Sequence, residues 1–235
     1  MSNFLVKSSA TDLTPTIGGP SKLWNGLAEG ACPLALHEYL NLEDVASNTK
    51  DFEKVVVVTK DAESADNWLQ SLKFFRDSED PKSGRFEYKA FPDWETLPYD
   101  FFSPHQNITS SRIDCLYDLS IEKKRLVVTI PVTTLLQKIA PPAFITGSTF
   151  RYETGQKLII NNERLKLDSS GYVASNLVTQ RGQYAVRGSV IDIFPMGSNL
   201  PVRVDLFDDE IDSLRLFDPE TQMTVEEVKE FRLLP

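Results

Sequence analysis

The chain has 235 residues, 41% of them hydrophobic and 25% charged, with a formal net charge of −9. It is long enough for one large or two smaller domains with a real core. The acidic balance argues against a dedicated nucleic-acid binder, since phosphate neutralisation needs clustered Lys and Arg, and it favours protein partners. No apolar run approaches the roughly 20 residues needed to span a bilayer. The start, MSNFLVKSSATDL, lacks the long apolar run of a secretory signal. Cys32 and Cys115 lie far apart with no metal-type spacing, so a reduced, cytoplasmic setting is expected.

In chain order, residues 1–24 read as a flexible lead-in rich in Ser, Thr, Pro and Gly. Leu34 to Val45 reads as a helix, and KVVVVT (54–59) as a strand covered on both faces. Asp61 to Phe75 is an amphipathic helix, with Ala65, Trp68, Leu69, Leu72 and Phe75 at helical spacing and Asp61 as its N-cap. Phe86 to Phe91 is expected as a strand, Ser110 to Leu119 as a helix, RLVVTI (125–130) as a buried strand, and Thr133 to Ile139 as a short helix. This alternation points to an α/β layer with a parallel sheet over residues 25–148. Pro141, Pro142, Thr146, Gly147 and Ser148 break the pattern. Residues 149–235 then read as a smaller α+β domain with an antiparallel sheet: a strand in TFRYE, a helix from Asn161 to Leu167, and a closing run of strands.

That closing run, residues 181–221, reads as three strands. In one of them Val202, Val204 and Leu206 share a face, and Arg203, Asp205 and Phe207 share the other. Arg and aromatic anchors are enriched at interfaces, so this face is expected to dock a partner. A structural alternative exists for each: Arg203 in a cross-strand ion pair with Asp205 or Asp192, and Phe207 packed on the first domain.

Candidate catalytic groups are few. His37 and His105 have no nearby nucleophile signature, and Asp93, Glu95 and Asp100 have no paired acid or base. Asp205, Asp208, Asp209, Glu210 and Asp212 lack the spacing and central glycine of a calcium loop, and read as an acidic hairpin turn. No catalytic residue and no metal site is expected. The segment GLAEGACP (26–33) lies where a nucleotide-binding domain would carry its phosphate loop, GxxxxGK[ST]. With Gly26 as the first glycine, the second falls at Ala31, the lysine at Cys32 and the hydroxyl at Pro33. Such a loop lacks the lysine charge, and its proline removes a backbone donor and the magnesium-binding hydroxyl. An ordinary loop with no nucleotide-binding history reads equally well.

The strings DWETLPYDFFSPHQNITSSR (93–112), RGSVIDIFPMGSNLP (187–201) and VDLFDDEIDSLRLFD (204–218) resemble the bacterial transcription-repair coupling factor family, and more loosely the excision-repair protein UvrB. The likeness runs from about residue 25 to the end and covers the N-terminal UvrB-homology region of a much longer protein. It implies a degenerate RecA-like domain without a working phosphate loop, followed by a domain like UvrB domain 2 that binds UvrA. The family's UvrA-contacting arginines and phenylalanine fall on Arg187, Arg203 and Phe207, and an acidic UvrB position falls on Asp205. UvrB's further arginine is Ala185 here, so its full basic set is not reproduced.

The implied role is non-catalytic: recruiting UvrA to stalled RNA polymerase for nucleotide excision repair. ATP and magnesium are then expected only at translocase motor domains outside this chain. For the longer family members the resemblance implies RNA polymerase and double-stranded DNA as partners, and a C-terminal domain that covers the docking surface. The alternative is a nucleotide- or DNA-handling domain of a UvrB-like repair helicase.

Overall fold

The structure, a computed structural model, describes residues 27–28, 30–41, 54–77, 86–96, 101, 103–121 and 125–235. The described residues of 1–90 and 122–135 form one compact unit, and those of 91–121 and 136–235 a second. The expected lead-in at residues 1–24 lies outside the described residues.

The first unit holds three parallel strands: β1 (Lys54–Thr59), β2 (Glu87–Ala90) and β3 (Leu126–Pro131). They stand in the order β1-β3-β2. Every residue of β3 is buried, as its continuous apolar run predicts for a central strand. The same expectation fails for β1. Val56 and Val58 remain 50% and 49% exposed, because β1 borders the sheet and only its other face is packed. Two helices, α1 (Ala31–Asn41) and α2 (Ala62–Asp77), supply that packing. Tyr39, Leu40, Leu69, Leu72, Phe86, Tyr88 and Val127 make the core, with Val55 and Val57 set against it.

The apolar spacing of α2 puts Ala65, Leu69 and Leu72 inside. Its start is fixed by Asp61, whose Oδ1 accepts the Ser64 backbone N–H at 2.8 Å, the N-cap the sequence predicts. The hydrogen bonds from Ser64 hold the Asp61 carboxyl below its ordinary pKa. His37 is buried on α1 with Nδ1 3.1 Å from the Tyr88 hydroxyl, a packing role.

The second unit is built on a six-stranded sheet in the order β10-β9-β8-β7-β6-β5. Its strands are β5 (Val173–Ala174), β6 (Gln183–Arg187), β7 (Val190–Ile193), β8 (Val202–Phe207), β9 (Glu210–Phe217) and β10 (Thr224–Val228). Only β5 and β6 run parallel; the other pairings are antiparallel. The stretch 181–221, expected as three strands, therefore holds four, β6 to β9. The turn at Gly188 and Ser189, between β6 and β7, is only two residues long. Gly188 sits at φ +60, in the left-handed region that glycine enters without strain.

A further pair, β4 (Phe150–Glu153) with β11 (Glu230–Leu233), and helix α6 (Ile160–Ser169) complete the core layer. Ile191, Ile193, Val202, Val204, Leu206, Ile211 and Leu214 bury one face of the sheet together with Leu167 and Tyr172. Tyr172 ties the layer to the C-terminal strand: its hydroxyl donates to the Leu234 carbonyl at 2.7 Å and accepts the Met196 N–H at 3.0 Å. That dry setting raises the Tyr172 pKa well above its ordinary value.

Helix α3 (Gln106–Ser120) belongs to this second unit, whereas the sequence-based division placed everything up to residue 148 in the first. Its sequence reads as one more α/β helix, but its partners lie far along the chain. Ser110 Oγ accepts the Gly197 N–H at 2.7 Å, and Asp114 accepts from Arg232 Nη2 at 2.8 Å. Gly197 lies at φ +78, and a Cβ there would stand 2.9 Å from Leu234 Cδ1 and 3.0 Å from Asp114 Oδ1, so only glycine lets the helix approach. The short helices α4 (Val132–Leu135) and α5 (Pro142–Gly147) fall in the first and second units respectively.

Candidate functional site

On β8 the predicted alternation is realised: Val202, Val204 and Leu206 are buried, Arg203 and Asp205 partly exposed, and Phe207 is 74% exposed. Strand register places Asp192 of β7 opposite Arg203, and Arg215 of β9 opposite Arg203 on the other side. Arg187 closes the β6–β7 hairpin opposite Val190. It is thus two strands from Arg203, with β7 between, rather than on a neighbouring strand. All these residues lie on the sheet face opposite the main core.

Asp192 organises them. Its side chain has no solvent exposure, although it lies on this outer face. It accepts from Arg203 Nε at 2.7 Å through Oδ1 and from Arg203 Nη2 at 3.0 Å through Oδ2. Oδ2 also accepts from Arg187 Nη2. A bidentate fork of this kind is charge-assisted and fixes the plane of the guanidinium. The Arg203 guanidinium also lies 4.8 Å from the centre of the Phe217 ring. Its pKa is held above the ordinary value, chiefly by the hydrogen bonds to Asp192. Of the two ion pairs open to Arg203 from sequence, the structure forms the one with Asp192.

Asp205 pairs instead with Arg215, whose Nε donates to Oδ2 at 3.1 Å and whose Nη2 donates to the same oxygen. Ser213 Oγ adds a third bond at 3.2 Å. Glu227 of β10 stands opposite Arg215 in the register, so three guanidiniums are set among three carboxylates, two of which, Asp192 and Asp205, hold them by hydrogen bonds. Their exposures differ, with the Arg187 side chain 52% exposed, Arg215 38% and Arg203 22%. Arg215 was not singled out from sequence; its signal is its alternation with the buried Leu214 and the partly buried Leu216 on β9, which puts it on the Arg203 face. Ala185, at the position of UvrB's further arginine, is buried with Val178, Phe194 and Phe217.

Of the acidic residues, Asp208 and Asp209 make the expected hairpin turn between β8 and β9, with Asp208 at φ +53, while Asp205 lies on β8 and Glu210 and Asp212 on β9. A shallow depression there is lined by Lys157, Phe207, Asp208, Asp209, Glu210 and Asp212. Among the described residues, no group of three or more His, Cys, Asp or Glu could hold a metal ion. His105 caps α3, its Nδ1 accepting the Asn107 N–H at 3.2 Å. Asp93 accepts from the Trp94 N–H at 2.8 Å and from Gln137 Nε2 at 2.7 Å. Asp100 lies outside the described residues.

Arg112, the last residue of the 93–112 motif, is a staple. It lies 4.3 Å from the Phe91 ring centre and 4.0 Å from that of Trp94, and it donates to the Pro92 carbonyl at 2.6 Å. Of the four phosphate-loop positions, Ala31, Cys32 and Pro33 form the first turn of α1, and Gly26 lies outside the described residues. A cavity beside them is lined by Gly30, Pro33, Thr59, Lys60, Ser64 and Trp68. Thr59 Oγ1 donates to the Asp61 carbonyl at 2.9 Å, and Lys60 Nζ stands 3.8 Å from the Asp61 carboxylate. No helix among the described residues is long and apolar enough to cross a membrane.

Residues 150–235 match the family model of the UvrB interaction domain. The chain is 40% identical over 221 residues to the transcription-repair-coupling factor of Haemophilus influenzae, which covers 94% of this chain and 18% of that protein. It is 52% identical over 143 residues to that of Escherichia coli, 61% of this chain and 12% of the relative. The Myxococcus xanthus protein of the same name is 32% identical over 181 residues, 77% of this chain and 15% of the relative. The chain belongs to the transcription-repair-coupling factor family, as one region of it that carries the UvrB interaction domain. It spans less than a fifth of the length of these relatives.

Removing the Asp192 carboxylate would leave two guanidiniums facing each other over an apolar floor. Asp192→Ala is expected to lower unfolding stability by about 3 kcal/mol in urea titration. Arg187→Ala, at the exposed end of the same pair, is expected to cost under about 1 kcal/mol. Equal effects would contradict a carboxylate-centred cluster.

Proposed function

We propose that this chain is a non-catalytic docking module that recruits UvrA to stalled RNA polymerase in transcription-coupled nucleotide excision repair. The observation that carries the reading is the exposed Phe207 at the end of the strand that carries Arg203, itself anchored on Asp192, within a UvrB interaction domain. Arg187 and Arg203 would bind carboxylates of UvrA, Asp205 would order the same face, and Phe207 would enter an apolar pocket. Such a pattern, a central anchor that excludes water around charge-assisted bonds, is how interface hot spots work. Residues 149–235 would then correspond to UvrB domain 2, and the arginines on the outer face of its sheet agree with that role.

The first unit would be a degenerate RecA-like domain. Its central parallel sheet fits, and Pro33 sits in the helix turn where a phosphate loop would present a hydroxyl. We take ATP and magnesium to have no site in this chain. The setting would be cytoplasmic. RNA polymerase and double-stranded DNA would be bound by other parts of the longer protein, and an intramolecular C-terminal domain would cover this face at rest.

A quantitative UvrA binding assay tests the docking face. Phe207→Ala removes an exposed ring and should leave the melting transition in place while weakening binding about thirtyfold, the equivalent of about 2 kcal/mol. Arg203→Glu should abolish binding. Wild-type affinity in both variants would put the docking site elsewhere. Titration with ATP and magnesium should show no saturable binding; a saturable isotherm at submillimolar ATP would overturn the reading of the first unit.

A further inference from the structure

Arg215 stands directly opposite Arg203 across the β8–β9 pair. Like charges so placed on one sheet face repel each other. Here each guanidinium has its own carboxylate: Arg203 turns to Asp192 on β7, and Arg215 to Asp205 beside it on β8. Arg187 joins Asp192 from the β6 side. Three arginines from three strands are thus held on one face by two aspartates, Arg203 and Arg215 in the cross-strand row of Asp192 and Arg187 in the adjoining row of Asp205. Each keeps N–H donors beyond those spent on its aspartate, since a guanidinium carries five.

We propose that Arg215 is a third docking cation of this face, and that Asp192 and Asp205 are positioning residues that hold the three guanidiniums in register for an acidic protein surface. The proposal rests on the reading that this face docks UvrA, and it specifies the chemistry of the contact. Charge distribution supports it: the chain as a whole carries −9, yet three guanidiniums are gathered on this one face. An acidic partner is repelled by most of the molecule and accepted here. A phosphodiester backbone fits less well, because the acidic turn Asp208–Asp212 lies at the Phe207 end of the same strands. A mixed protein surface can place cations or an apolar pocket there and carboxylates over the arginines.

Ion pairing with Asp205 for stability alone predicts something different, and UvrA affinity at two salt concentrations separates the two. Arg215→Ala is expected to weaken binding about fivefold or more, with a shallower salt dependence. Asp205→Asn is the sharper variant. It makes the face more positive, so unpositioned attraction to an acidic partner would tighten binding; loss of the Arg215 holder should weaken it. Tighter binding by Asp205→Asn, or Arg215→Ala binding within about twofold of wild type, would overturn the proposal. If Phe207→Ala, which leaves the fold in place, still weakened binding in that series, the docking reading would stand and only the role of Arg215 would fall. If Arg203→Glu and Phe207→Ala bound like wild type, the docking reading itself would fall.

Discussion

A carboxylate with no access to solvent, Asp192, holds the outer face of the six-stranded sheet together. Taking an anion out of water is expensive, and it is tolerated only where hydrogen-bonded cations replace the lost hydration. Arg203 supplies a two-point fork and Arg187 a third donor. The consequence runs outward: the arginines cannot swing free without stranding the carboxylate, so their order is inherited from the strand register. A partner meeting this face finds side chains already fixed, and less of its binding energy goes into ordering them.

The opposite face explains why the register itself is rigid. Ile191, Ile193, Val202, Val204 and Leu214 are buried there, and a slip of one residue would turn them outward and Asp192 inward. Core packing and the polar cluster therefore enforce the same pairing. Phe207 is the exception that neither side accounts for: a large ring left 74% exposed at the end of a strand whose other apolar side chains are buried.

Much of this was legible in the sequence because it is local. The alternation of β8, the buried run of β3, and the Asp61 cap depend on neighbours within a few residues. The ion pair of Arg203 was readable only as one of two choices, since Asp205 lies two residues on along the same strand and only the strand pairing brings Asp192 opposite it. The place of α3 was not readable at all. Its place in the strand–helix alternation suits an α/β layer, while its actual partners, Gly197 and Arg232, come from some eighty or more residues later. Nor did the pattern show that β1 borders its sheet, because edge and centre differ in what lies beside the strand rather than in the strand. Family likeness contributed what geometry cannot, a named partner for a face that physical reasoning identifies only as an interface.

Site-specific photocrosslinking tests that partnership most directly. A benzophenone side chain in place of Phe207 should crosslink to UvrA, while the same group at Leu165 or Leu136, which are equally open to solvent, should not. Efficient capture of UvrA from Leu165 or Leu136, with none from Phe207, would contradict the assignment of the Arg187–Asp192–Arg203 face as the docking surface.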